Sequence, residues 1–133
     1  MRAVSVLLIV FGAFMALLNS TALFAPINKQ VDRVFWGDVG PDAVDRQFQA
    51  WAYGVLGATT MGWGIFLYFV ASHPFRKKER WARDCVLLGL GSWFVLDTGI
   101  SAYYGVTLNV LINTALFILA MVPVALTFRE FKR

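Results

Sequence analysis

Cys85-Val-Leu-Leu-Gly-Leu-Gly-Ser-Trp-Phe-Val-Leu-Asp97-Thr-Gly-Ile-Ser-Ala-Tyr-Tyr104 is a long apolar run that carries one acid. About 20 such residues, wound as helix, cross the hydrocarbon core of a bilayer. The run has no period-two alternation, and barrel strands are about half as long, so it reads as a membrane helix. A carboxyl group in that setting is costly, roughly 2.5–3.5 kcal/mol at a helix centre, and such groups usually face a bundle interior. Asp97 therefore decides the reading twice: its surroundings give the fold class, and its cost makes it the leading candidate site residue.

Three further stretches have the same character, so the spans run approximately Ala3–Ala25, Phe48–Ser72, Asp84–Tyr104 and Val106–Phe128. Composition agrees: 59% of the residues are hydrophobic and 15% charged, against about a quarter charged in soluble domains. The expectation is a single all-α domain over residues 1–133, an integral membrane bundle of four transmembrane helices. A short outer interfacial helix falls between the first and second spans. In its favour, Val31, Val34, Phe35 and Trp36 lie close enough to share one face. Gly37 can end that helix, and Gly40-Pro41-Asp42 can open the next. It acts as a surface cap or as a lid over a pocket.

Lys and Arg positions set the orientation. Arg2, then Arg76, Lys77, Lys78, Arg80 and Arg83, then Arg129, Lys132 and Arg133 fall on one side if the termini share it. Lys29, Arg33 and Arg46 fall on the other, among Asp32, Asp38, Asp42 and Asp45. The bias places both termini and the basic loop in the cytoplasm, the expectation being a bacterial plasma membrane protein. The net charge of +4 is thereby explained without nucleic acid. The cluster Arg76, Lys77, Lys78 and Arg80 suits anionic lipid as well as topology anchoring. Arg2, an apolar run and Ser20-Thr21-Ala22 loosely resemble a cleavable signal, but the apolar stretch continues through Ala25, too far for a short signal core.

Side-chain chemistry narrows the function classes. Cys85 and His73 are each alone, which leaves no disulfide and no metal or haem ligand set within this chain. No cofactor, metal or catalytic residue is assigned. On the second span Ala50, Gly54, Ala58 and Gly62 recur every fourth position, with Gly57 and Gly64 beside them, a ridge on which another helix can approach closely. It serves this bundle, a partner membrane protein or a second copy. On the third span Trp93, Asp97 and Ser101 share a face. A tight turn near Gly105 then sets Asn113 opposite Asp97 and Asn109 opposite Ser101, roughly 12 Å and 6 Å below the turn. The seam Asp97, Ser101, Asn109, Asn113 and Trp93 is either structural glue or a ligand or ion site. Trp63, at similar depth, lines the same cavity. Asn19, Ser20, Thr21, Gln47 and Gln49 are expected at headgroup level.

In overall plan the chain resembles the small four-helix DoxX-like bacterial membrane proteins, most of unknown function. The resemblance rests on the outer segment after the first span, on Tyr53-Gly54-x-x-Gly57, and on the short hairpin between the third and fourth spans. It implies the four-helix plan and no residue roles. The functional expectation is a non-catalytic membrane protein, an accessory subunit or small-ligand binder acting through the seam. The alternative is a small proton- or cation-coupled transporter using Asp97.

Overall fold

A computed structural model describes residues 1–131 as helices joined by short turns. In chain order these are α1 (Arg2–Leu18), α2 (Ala25–Trp36), α3 (Ala43–Ser72), α4 (Arg80–Tyr103) and α5 (Thr107–Thr127). Single 3-10 turns sit at Ala22–Phe24 and Phe128–Glu130. Lys132 and Arg133, counted above toward the basic side, lie outside the described residues. The segments Ala43–Ser72, Arg80–Tyr103 and Thr107–Glu130 are long and apolar enough to cross a membrane. Leu17, Phe66, Leu88 and Leu126 leave most of their surface uncovered, as expected where lipid replaces water as the solvent.

The first span differs from expectation. Its helix stops at Leu18 after 17 residues rather than continuing to Ala25. Short polar side chains take over the backbone there. The Asn19 amide donates to the Met15 carbonyl at 2.9 Å and the Thr21 hydroxyl to the Leu18 carbonyl at 2.6 Å, and Thr21 turns extended. Such local bonds compete with the helix ladder. The chain then re-enters helix at Ala25, with Pro26 in the first turn, where its missing N–H is not needed.

The next helix also begins earlier than read, at Ala43 instead of Phe48. Asp42 and Asp45 form a reciprocal capping box, Asp45 N–H to Asp42 Oδ1 at 2.7 Å and Asp42 N–H to Asp45 Oδ2 at 3.2 Å. Pro41 therefore precedes the cap rather than opening the helix. Gly37, at φ 60°, ends α2, and Gly105, at φ 74°, makes the turn between α4 and α5; both conformations suit glycine.

The helices pair as α1 with α3 and α4 with α5. In the first pair Gly12, Gly57 and Gly64 bring backbones together: a Cβ at Gly57 would lie 2.7 Å from the Gly12 carbonyl oxygen, and one at Gly64 2.8 Å from the Ile9 nitrogen. Helix α1 uses only part of the four-residue ridge. Ala50 and Gly54 lie along α1, but Ala58 is exposed and a Cβ at Gly62 would meet nothing within 4 Å. A row at i, i+4 drifts about 40° per step, whereas a row of sevens drifts only about 20°. The contact face is therefore Ala50, Gly57, Gly64 and Ala71. The same drift turns Cys85 and Gly89 of α4 outward from the face that carries Asp97.

The two pairs meet in a small core near the ends that carry the basic loop, where Val4 and Leu8 pack with Val86, Leu90, Ala120 and Val124. The buried Phe131 closes this end, its ring 4.8 Å from that of Phe75 and under the Arg83 guanidinium. Lys78 pairs with Glu130 across the same end. At the opposite end α2 lies over the gap between the pairs. Phe24, almost fully buried, contacts Phe14 and Tyr53, and Phe35 reaches Tyr104 at 5.9 Å.

Candidate functional site

A long α4–α5 hairpin with a one-glycine turn fixes which residues face each other. Phe94 stacks on Phe117 at 4.3 Å. One layer outward, Asp97 meets Asn113, and one layer further Ser101 meets Asn109. All four residues, with Trp93, form one hydrogen-bond network. Asp97 Oδ1 accepts from Asn109 Nδ2 at 2.7 Å, Asn113 Nδ2 at 3.0 Å and Ser101 Oγ at 3.2 Å. Oδ2 accepts from the Trp93 indole at 3.1 Å. Asn109 Nδ2 also donates to Ser101 Oγ at 2.7 Å.

The arrangement has an electrostatic consequence. Every neighbour of Asp97 in this network donates, and among the described residues no Lys, Arg or His pairs with it. A carboxylate here is balanced by four oriented dipoles instead of a cation. The donors are unevenly divided. Oδ1 holds three and is saturated; Oδ2 holds one and keeps an acceptor position. Ser101 and Asn113 are buried, at 7% and 3% exposure, while Asp97 is only partly covered.

Asp97 also lines a cavity of about 780 Å³ between the helix pairs. Val4, Leu8 and Ala120 line one end and Phe35, Tyr104 and Val106 the other. Met15, Trp63, Trp93, Ile112 and Leu116 make the walls between them. Trp63 and Trp93 thus line the same space, as the depth argument expected. Ile27, Val31 and Phe35 of α2 contribute to it too, so α2 is a wall of the cavity as well as a surface helix. The chemistry is that of a largely apolar chamber with a single acid on its wall, the usual composition of a small-molecule site.

A second polar constellation lies at the end of the bundle that carries α2 and was not read from the sequence as a site. Arg46 and Asp32 form an ion pair at 2.8 Å. Gln49 Nε2 donates to Asp32 Oδ1 at 3.0 Å, and Arg46 donates to Gln49 Oε1 at 3.2 Å. Asn19 Nδ2 donates to the Ala50 carbonyl at 3.2 Å, and Asn28 Nδ2 to the Asn19 carbonyl at 3.1 Å. Asn19 and Gln49, expected at headgroup level, are buried at 7% and 6% exposure; Ser20, Thr21 and Gln47 are exposed. The available signal was the pairing of Asp32 with Arg46, opposite charges on two helices that the loop at Gly37–Gly40 folds together.

The inner basic cluster Arg76, Lys77, Lys78 and Arg80 is exposed, with Lys78 engaged by Glu130. His73 ends α3 and lies flat against Phe69. Comparison of the chain with protein-family models, curated proteins and solved structures returns no match.

Proposed function

We propose that the chain is a polytopic membrane protein that binds a small, largely apolar molecule between its helix pairs, holding a donor group of that molecule on Asp97. The observation that carries this reading is the asymmetry of the carboxylate: Oδ1 is filled by three donors, while Oδ2 keeps an acceptor position beside an apolar chamber. A purely structural carboxylate has no use for that chamber. The ligand class is a lipophilic amine or alcohol. An anionic amphiphile meets like charge in a medium that screens poorly.

In this reading α1 is the fourth span. At 17 residues it covers about 26 Å, within reach of a core of about 30 Å, and its close packing on α3 keeps it in the bundle. The termini and basic loop are cytoplasmic by their Lys and Arg content, and the plan remains similar to DoxX-like proteins of bacterial plasma membranes. The inner basic cluster holds that face against anionic lipid.

The test uses a variant retaining only the cavity tryptophans Trp63 and Trp93, with Trp36, Trp51 and Trp81 changed to Phe. Bromine at the far end of dodecylamine or dodecanol quenches both when the chain enters the cavity. Saturable quenching by the amine and the alcohol, and none by bromododecanoate, supports the proposal. Equal quenching by all three, unchanged by Asp97→Leu, refutes it.

A coupled carrier is the second reading. It is favoured by a lone acid on the wall of a cavity between apolar helices, the place where a coupled carrier keeps its ionisable group. Asp97→Asn then abolishes coupled flux in proteoliposomes while expression is retained. An accessory role would use the small-residue surface at Ala58 and Gly62, which α1 leaves uncovered.

A further inference from the structure

The outer network borders a second cavity, about 740 Å³, between the end of α1, α2 and the start of α3. Its lining is polar, and Lys29, Arg33 and Arg46 supply three cations against Asp32 and Asp38. Asp32 is already paired with Arg46, so Lys29 and Arg33 against Asp38 leave one positive charge in excess and bias the pocket toward an anion. Tyr53 lines both this pocket and the apolar chamber, so the two meet at its side chain.

Unpaired atoms lie on either side of that junction. Among the described residues Asn28 Oδ1 and Gln30 Oε1 are buried with no hydrogen-bond partner, and the Tyr53 hydroxyl has Gln49 beside it. Asn28 lines the polar pocket and Gln30 the apolar chamber. Buried polar groups are nearly always paired, so the Asn28 oxygen on the polar side calls for a donor there. The Asn28 amide is oriented by its own bond to the Asn19 carbonyl, which leaves its oxygen seeking a donor. The partner therefore brings hydroxyl or N–H groups to this point, an anionic group toward Lys29 and Arg33, and an apolar tail toward the chamber.

We infer that the outer pocket is a headgroup site for an anionic phospholipid with a hydroxylated headgroup, its acyl chain entering the outer end of the apolar chamber. This site goes beyond the Asp97 reading and stands on different residues. It also differs from the inner basic cluster, which lies at the opposite end of the bundle.

The experiment is native mass spectrometry of the full chain released from tetraethylene glycol octyl ether, a detergent without sugar or charge. Arg76, Lys77 and Arg80 are changed to Gln to silence the inner face. Probes are phosphatidylglycerol, phosphatidylmethanol (which lacks the headgroup hydroxyls), phosphatidylcholine and free glycerol phosphate. The inference predicts phosphatidylglycerol bound most tightly. Lys29→Gln and Arg33→Gln, both exposed positions that leave folding intact, each weaken it about fivefold. Tyr53→Phe removes the preference for phosphatidylglycerol over phosphatidylmethanol. Asp97→Asn leaves all of this unchanged, which separates failure here from failure of the Asp97 reading. Unaltered binding in the Lys29→Gln, Arg33→Gln double variant overturns the inference. So does glycerol phosphate competing as well as the lipid, which would remove the role of the chain.

Discussion

Gly57→Ala tests whether α1 and α3 are joined through backbone contact on a seven-residue repeat. The added methyl would fall 2.7 Å from the Gly12 carbonyl oxygen and closer still to the Ala16 backbone, where ordinary contact begins at 3.4 Å. All of these neighbours are main chain, so no side chain can swing away. The helices must part by roughly 0.7 Å or more, and overpacking of that kind costs about 1–3 kcal/mol. Alanine returns about 1 kcal/mol through helix propensity, leaving a net loss of up to about 2 kcal/mol against wild type and the full 1–3 kcal/mol against a control that gains the same propensity. Gly62→Ala is the matched control on the same helix. Nothing lies within 4 Å of its Cβ position, so only the propensity gain remains. Unfolding by sodium dodecyl sulfate from mixed micelles, followed by far-UV circular dichroism, reads both. Gly57→Ala should unfold at lower detergent fraction than wild type, with Gly62→Ala at or above it. Equal stability of the two variants would refute the heptad interface and restore the four-residue ridge.

Other perturbations separate the remaining contributions. Asn113→Leu deletes one donor to Asp97 in a buried layer, and we predict a loss of about 1 kcal/mol, as for interhelical bonds in membranes. Asp97→Asn keeps an oxygen for Asn109, Asn113 and Ser101 but turns an amide N–H toward the Trp93 indole. It should therefore cost only that one bond, about 1 kcal/mol by the same unfolding assay. Phe131→Ala empties the buried contact with Phe75 and Arg83, and a loss of about 3 kcal/mol is expected. In a Cys85→Ser background, Val39→Cys, at 96% exposure, should react with an impermeant maleimide from outside intact cells. Lys77→Cys should react only after permeabilisation, and the reverse pattern would invert the topology.

How much of this was legible depends on how local each determinant is. The connection between α4 and α5 is short and its turn is fixed by Gly105, so counting residues outward from that glycine brings Asp97 to Asn113 and Ser101 to Asn109. The helix end at Gly37 was likewise written in a single residue. The end of α1 was not, because Leu23, Phe24 and Ala25 remain apolar, and the break comes from side-chain bonds of Asn19 and Thr21 that hydropathy does not register. The interface of α3 was misphased because steps of four and of seven both collect small residues in this helix; only the partner's backbone selects Gly57 and Gly64 over Ala58 and Gly62. The outer network was hidden for a third reason. Asp32, Arg46 and Gln49 belong to different helices, and the loop that folds α2 onto α3 is what makes them neighbours.

The central claim is that Asp97 is held by its neighbours as an acceptor for a ligand in the cavity. The most direct measurement is the solid-state NMR resonance of the Asp97 carboxyl carbon in lipid bilayers, assigned by its absence in Asp97→Asn, with and without dodecylamine. The account predicts that the resonance moves on addition of the amine and stays in place with dodecanoate. A carboxyl resonance that ignores dodecylamine, while the amine still quenches Trp63 and Trp93, would contradict it: the cavity would then bind its ligand without Asp97, and the seam would be structural.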